Sequence, residues 1–280
     1  DKFCTYCIVP YTRGKDRSRK SINIINEINS LVQAGYQEVT LLGQNVNAYG
    51  KDLAGEVNFA ELLAKVSQTN IPRIRFVTSH PWDFSDELIK TIAQYPNIMP
   101  YIHLPMQSGS NNILKLMGRR YTHEAYLTLF NKIKAQIPGV AITTDIIVGF
   151  PNETKADFKA TLALVDACQF DGAYTFIYSP REGTPAALIK DNIPQSVKKE
   201  RLQILNQKIN SYALKNNKPY LNQKVAVLIE DISPKNSDYV FGYTPTMKLV
   251  NVKGTKKDIG QIKTVTITAT KSFSLDGIIE

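Results

Sequence analysis

The sequence predicts an α/β fold in which a full or partial β/α barrel is followed by a small all-β barrel. Two observations carry this prediction. From residue 21 to about 178, short β-rich runs, apolar along most of their length, alternate with segments of helical period, as in a parallel sheet covered by helices. Beyond about residue 217 the helical period stops, and strand-like runs separated by turn residues follow one another at regular intervals. At 280 residues the chain is long enough for one large domain and a smaller one.

The elements follow in order. "SINIINEINSLVQAG" places Ile22, Ile25, Ile28, Leu31 and Val32 on one helical face, with Ser21 as a cap and Gly35 as a stop. "EVTLLG" is the first strand-like run. Helices near 59–67, 85–95, 122–136 and 153–167 then precede the strands "RIRFVTS", "YIHLP", "VAITTDIIVGF" and "GAYTFIYS". These make five strands, and a sixth is expected before Asp1, which completes the expectation of a β/α barrel. A long helix, 195–214, carries Leu202, Leu205, Ile209 and Tyr212 on one side. The five runs "QKVAVLIEDI", "DYVFGYT", "MKLVNVKG", "GQIKTVTITAT" and "SLDGIIE" form the small barrel, so the domains divide as 1–216 and 217–280.

Composition narrows the class. A hydrophobic content of 43% is that of a folded chain, no apolar run is long enough to span a membrane, and residues 1–20 do not read as a signal peptide. A net charge of +9 favours a polyanionic partner, nucleic acid first. Three cysteines make no disulfide framework and suit a reducing, cytoplasmic compartment.

Two of these cysteines stand together in "DKFCTYCIVPYTRG". A thioredoxin-like pair would need a helix beginning at Cys4, whereas Pro10 and Gly14 read as a loop. Structural zinc would need two more ligands, and neither a second Cys-x-x-Cys nor a His-x3-His occurs. Loop thiolates holding cluster irons remain. The strand exits "LLGQNVNAYG", "TSHP", "HLPMQSGS", "TDIIVGFPNET" and "FIYSPREGTP" each offer glycine or small polar groups, and together they describe a ligand cavity at the carboxyl ends of the strands.

"DKFCTYCIVPYTRGKDRSRK" resembles the cluster loop of the radical SAM methylthiotransferase family, in its MiaB type acting on transfer RNA. "HLPMQSGSNNILKLMGRRYT", "TDIIVGFPNET" and "YSPREGTPAA" are similar to that family's later strand-end motifs, and residues from about 217 resemble its TRAM domain, an OB-like barrel. The family pattern is Cys-x3-Cys-x2-Cys. Cys4 and Cys7 match its second and third cysteines, and the first would stand immediately before Asp1.

The resemblance implies a [4Fe–4S] cluster on three thiolates with S-adenosylmethionine on the fourth iron. Reductive cleavage yields a 5′-deoxyadenosyl radical, which takes hydrogen from carbon 2 of an N6-isopentenyladenosine beside the anticodon. Sulfur associated with a second, auxiliary cluster is inserted and then methylated. That cluster belongs to an amino-terminal domain with no counterpart in these residues. The implied partners are the transfer RNA anticodon stem-loop and an electron donor such as flavodoxin or ferredoxin.

Carried onto this sequence, the resemblance makes Cys4 and Cys7 metal ligands. It assigns Gly43, Gln44, Gln107, Ser108, Asp145, Gly149, Glu153 and Arg181 to the S-adenosylmethionine site. Arg13, Lys15, Arg17 and Arg19 adjoin that face and are expected to meet phosphates. Lys248 and Lys253, near Phe241, Tyr243 and Phe273, are expected to contact RNA from the small barrel. Cys168 is expected in the core. Two other readings stay open: a sister methylthiotransferase acting on threonylcarbamoyladenosine or on a ribosomal-protein aspartate, and an inactive RNA-binding remnant.

Overall fold

A computed structural model describes residues 4–280. Helix starts in the first domain are set by short polar side chains that satisfy otherwise unpaired N–H groups. Asn58 and Glu61 form a reciprocal cap on α3 (Phe59–Ser67), and Ser85 caps α4 (Asp86–Gln94). Thr122 caps α6 (His123–Gln136), and Thr154 with Asp157 caps α7 (Lys155–Cys168). Helix α2 (Ser21–Gln33) departs from expectation. It begins at Ser21 without a side-chain cap, and Ile22 faces solvent while Ile28 is buried, so the inward face turns about Ile24, Ile28, Leu31 and Val32. Gly35 does end it, at φ 86°. Two short helices were not anticipated: α1 (Val9–Arg13) directly after the thiols and α5 (Asn111–Leu116), capped by Ser110.

The strands of this domain are all parallel. β1 (Glu38–Leu41) pairs with β2 (Arg73–Phe76), and β3 (Tyr101–His103), β4 (Ala141–Val148) and β5 (Gly172–Ile177) pair in that order. The two groups meet where the Ile74 N–H donates to the Asn97 carbonyl at 2.7 Å and the Met99 N–H donates to the Ile74 carbonyl at 2.9 Å. The result is an open barrel wall with β1 and β5 at its ends.

One face of this wall carries Ile74, Phe76, Ile102, Ile142, Ile146 and Val148, buried against Leu63, Val66, Ile89, Ile133 and Val165 of the helices. Alternation then places Arg73, Arg75, Tyr101, His103, Thr143 and Asp145 on the other, luminal face. The strands are therefore less uniformly apolar than their sequences suggested, because the lumen is polar. Cys168 is buried in the helix-side core.

Helix α8 (Gln195–Asn217) leads to a closed five-stranded barrel of β6 (Lys224–Ile232), β7 (Tyr239–Tyr243), β8 (Leu249–Lys253), β9 (Ile262–Thr270) and β10 (Leu275–Ile279), in the order β10-β8-β7-β6-β9. Val227, Ile229, Val240, Val250, Val252, Val265, Ile267 and Leu275 fill it. Gly242 is required by close approach. A Cβ there would lie 2.0 Å from the Leu228 carbonyl oxygen, beside the bulge at Ile229–Asp231.

The small barrel is bolted to the lumen of the large one. Arg73 donates to the carbonyls of Tyr243 and Ala226 at 3.0 and 2.9 Å, and Arg75 to those of Pro245 and Thr244 at 2.8 and 2.7 Å. Lys248, expected among the RNA contacts, instead pairs with Asp171 at the foot of β5 at 2.8 Å. A buried ammonium needs such a partner, so Lys248 joins the domains rather than facing RNA. The β7–β8 turn thus crosses the lumen from β2 to the start of β5.

Candidate active site

The cysteine loop lies across the carboxyl ends of the strands because its backbone is held on both sides. The Thr5 N–H donates to the Met117 carbonyl at 3.0 Å, its hydroxyl to the Leu116 carbonyl at 2.8 Å, and its own carbonyl accepts from the Ala186 N–H at 2.8 Å. Tyr6 packs edge-on to Phe150, which in turn meets Tyr178 at a centroid distance of 4.9 Å. A turn with the Cys7 N–H on the Cys4 carbonyl sets both half-buried thiols on one loop.

Beside them stands a residue that sequence reasoning passed over. The Arg119 guanidinium is buried, lies over the Tyr121 ring at 5.2 Å, and donates to the Pro105 carbonyl at 3.2 Å and to Cys4 Sγ at 3.4 Å. Burial works to lower its pKa, but the Tyr121 and Tyr6 hydroxyls and the Cys4 sulfur outweigh that and hold it raised, so it stays charged. A fixed cation thus stands against one of the two sulfurs. The signal was the doubled arginine in "MGRRYT", at the end of a quoted motif.

The remaining expected residues divide. Gly43 and Gln44 stand exposed at the exit of β1 and share a hollow of about 300 Å³ with Arg13, Lys15, Arg17 and Arg19, which brings two distant segments together. The loop carrying these cations is pinned by Ser18, whose N–H donates to Asp52 at 2.7 Å and whose hydroxyl also bonds that carboxylate. Arg19 is partly committed to Glu27, at 2.7 Å. Gln107 adopts φ 62°, and its main chain continues the β3–β4 ladder through bonds to Asp145 and Ile147. Such a conformation in a non-glycine residue is strained and is held here by its neighbours. Gly149, at φ 69°, gives its N–H to Glu153 at 2.7 Å, and a Cβ there would strike the Lys198 side chain.

Two expected ligand contacts are corrected. The Glu153 side chain is wholly buried and paired with Arg201 at 2.6 Å, so it shapes the Gly149 turn from behind. Burial raises its pKa against the opposing pull of Gly149 and Arg201. Ser108 is also buried; its hydroxyl accepts the Ser110 N–H and meets Thr161 of α7. Both are inward-facing supports. Arg181 is exposed, and its carbonyl caps the turn at Thr184. Asp145 lies in the lumen, 3.3 Å from His103 Nε2.

Among the described residues no group of three His, Cys, Asp or Glu side chains could hold a metal ion by itself. The loop thiols, the adjacent cation and the glycine turns nevertheless fit a cluster that takes two of its ligands here.

Comparison with known proteins agrees with this geometry. The radical SAM superfamily model matches residues 1–165 and the TRAM domain model residues 218–279. The chain is 57% identical over 279 residues to a tRNA-2-methylthio-N(6)-dimethylallyladenosine synthase of Shouchella clausii, covering 100% of this chain and 54% of that protein. It is 55% identical over 278 residues to the protein of the same name from Staphylococcus haemolyticus, covering 99% and 54%. The chain therefore spans about half the length of the curated relatives it matches. Among solved structures, methylornithine synthase superposes with a TM-score of 0.51 at 16% identity, over 75% of this chain and 59% of that one. The methyltransferase TsrM of Kitasatospora setae, solved with cobalamin and a [4Fe–4S] cluster bound, gives 0.55 at 17%, over 67% and 36%. At such identities these two show a common fold. With the cysteine loop lying over the carboxyl ends of a parallel barrel wall and the family model covering that wall from β1 through β4, more than half of the chain, the chain belongs to the radical SAM superfamily.

Proposed function

We propose that this chain is the catalytic and TRAM portion of a transfer RNA methylthiotransferase that converts N6-dimethylallyladenosine beside the anticodon to its 2-methylthio derivative. The observation that supports this most is identity of 55–57% across essentially the whole chain to relatives that carry that activity in their names. Both bear the same name, which favours this substrate over threonylcarbamoyladenosine or a protein aspartate. The Cys4–Cys7 pair, with a buried cation held against Cys4, speaks against an inactive remnant. The chain divides for this work into residues 1–216 and 217–280.

Cys4 and Cys7 would hold two irons of a [4Fe–4S] cluster, with S-adenosylmethionine bound beside it. Together these cofactors supply the one-electron chemistry needed to act at an unactivated carbon–hydrogen bond. The protein's part is placement. Thr5 clamps the loop between the α5 terminus and residue 186, and Arg119 sets a buried positive charge against the Cys4 sulfur. Gly43 and Gln44 at one exit and Gln107 and Gly149 at the others present backbone and polar groups to the cofactor, and a side chain at Gly149 would strike that of Lys198. Arg13, Lys15 and Arg17, on the rim beside Gln44, would take RNA phosphates, with Lys253 on the second barrel. An electron donor such as flavodoxin or ferredoxin, and a cytoplasmic setting, follow from the same reading. No helix among the described residues is long and apolar enough to cross a membrane.

The test is made with the full-length protein that contains this chain, expressed in cells lacking the endogenous activity. Mass spectrometry of digested transfer RNA should show the 2-methylthio nucleoside, and Cys4→Ala or Cys7→Ala should abolish it. Unmodified dimethylallyladenosine from the wild-type protein would overturn the assignment.

A further inference from the structure

We propose that Arg119 is the fixed counter-ion of the cluster held by Cys4 and Cys7, and that by favouring the reduced cluster it sets the potential at which an electron enters. The inference rests on the cluster site given above and deepens it, naming the residue that governs its reduction.

The other buried cations among the described residues each approach a carboxylate. Arg75 pairs with Glu38 at 2.9 Å, Arg201 with Glu153 at 2.6 Å, Lys248 with Asp171 at 2.8 Å and Lys198 with Asp191, while Arg73 comes within 4.0 Å of Glu38. Arg119 is as deeply placed, at 8% exposure, and differs. Among the described residues its side chain donates to the Tyr121 hydroxyl at 3.0 Å, to the Pro105 carbonyl and to Cys4 Sγ, and none of these is a carboxylate. A buried guanidinium without a carboxylate is costly unless another negative charge faces it. The group it faces is the cysteine loop.

Local sequence builds this placement. Gly118, at φ 72°, closes helix α5, with the Gly118 N–H on the Lys115 carbonyl at 3.0 Å and the Arg119 N–H on the Leu114 carbonyl at 2.8 Å. Paired bonds of this kind around a left-handed glycine turn the following residue back across the helix end. The same end accepts the Thr5 N–H at the Met117 carbonyl and the Thr5 hydroxyl at the Leu116 carbonyl. One helix terminus therefore carries both the cation and the cysteine loop, and sets the guanidinium 3.4 Å from Cys4 Sγ. The Tyr121 hydroxyl, shared between the Pro105 and Met106 carbonyls at 3.2 Å each, steadies the guanidinium from the strand side.

Reduction forms and breaks no bond. An external one-electron donor is oxidised, and the cluster with its thiolates gains one negative charge. A cation fixed beside a ligand sulfur, away from water, lowers the energy of that more negative state and so raises the potential. The N–H donated to the sulfur acts in the same direction.

The test uses the full-length protein that contains this chain, loaded anaerobically with iron and sulfide and titrated stepwise with reductant. Electron paramagnetic resonance reads the midpoint, and the signal that changes on adding S-adenosylmethionine identifies this cluster. Arg119→Gln, which keeps a donor without the charge, and Arg119→Met should each shift the reduction equilibrium about tenfold toward the oxidised cluster, a midpoint about 59 mV more negative. Arg119→Lys should stay close to wild type. Hydrogen exchange of residues 4–8 in the cluster-free protein should be the same in wild type and variants, because Thr5 holds the loop. Unshifted midpoints in the glutamine and methionine variants, or a lysine variant shifted as far as they are, overturn the proposal. Iron lost together with loop protection overturns it as well, since Arg119 would then be a brace of the loop. A wild-type protein that holds no cluster defeats both readings, whereas a missing methylthio nucleoside alone leaves the midpoints standing.

Discussion

The two barrels of this chain treat their interiors in opposite ways. The carboxy-terminal one joins its strands into a ring and fills the ring with valine, isoleucine and leucine, each with no measurable exposure. Among the described residues the larger one is a parallel wall from β1 to β5 whose lumen is lined with arginine, histidine, threonine, tyrosine and aspartate. A dry ring needs nothing from its neighbours. A polar lumen is stable only where each charge finds a partner, and here several of those partners are backbone carbonyls of the other barrel. The dry barrel therefore serves as part of the wet one's floor, and the space left over is available for ligands.

The strongest way to break this contrast is Arg75→Met. It strands the carbonyls of Thr244 and Pro245 and leaves Glu38 without its 2.9 Å partner. Removing one member of such a buried pair should cost about 3–5 kcal/mol. Urea denaturation should show the loss, and limited proteolysis should find the β7–β8 turn newly cleavable.

Ile267→Ala attacks the dry side. A cavity in a closed apolar ring should cost about 3 kcal/mol, and the damage should stay local. Hydrogen exchange should rise across 224–279 while the strands of the large barrel keep their protection. Equal loss in both barrels would show that the small one has no independent stability.

Asp157→Asn should have a smaller effect, about 1 kcal/mol from the α7 cap. Although burial works to raise its pKa, bonds from Ser110 and Thr154 hold the carboxyl below its usual range. A depressed folded pKa gives stability present above the unfolded value of about 3.9, and lost as pH falls through the folded one. The variant should therefore differ from wild type at neutral pH, and the difference should vanish on acidification. A gap that persists at the acid end would place the effect in packing.

The mildest probe leaves stability untouched. Burial pushes the Cys168 thiol up to about 12, whereas Cys4 and Cys7 lie on a half-buried loop. Iodoacetamide at pH 8 should label the loop pair in the native protein and reach Cys168 only after unfolding, as peptide mass spectrometry would show.

The order of helices and strands, the change of architecture after α8 and the cysteine loop were all legible in the sequence. Each is written in local terms: apolar period, capping residues such as Asn58 and Thr154, glycine at strand exits, and two thiols two residues apart. The same local signals misled at α2, where Ile22 matched the helical period but the turn of the helix onto its neighbours packed Ile24, half-buried, against the core instead.

Long-range placement was decided only by the tertiary structure. Nothing in "MGRRYT" says which arginine lies against Cys4, and nothing in "MKLVNVKG" separates Lys248, bound to Asp171 across a domain junction, from exposed Lys253. Glu153 and Ser108 read as strand-end ligands because they stand in strand-end loops, yet their side chains turn inward to Arg201 and to α7. The physical reason is common to these cases. Sequence period and motif report which way a backbone segment can run, whereas the fate of a charge or hydroxyl depends on the partner it meets, often from more than forty residues away. Burial without that partner is too costly to persist, so it was the packing of the two barrels that sorted the polar residues into supports, fasteners and those left free for chemistry.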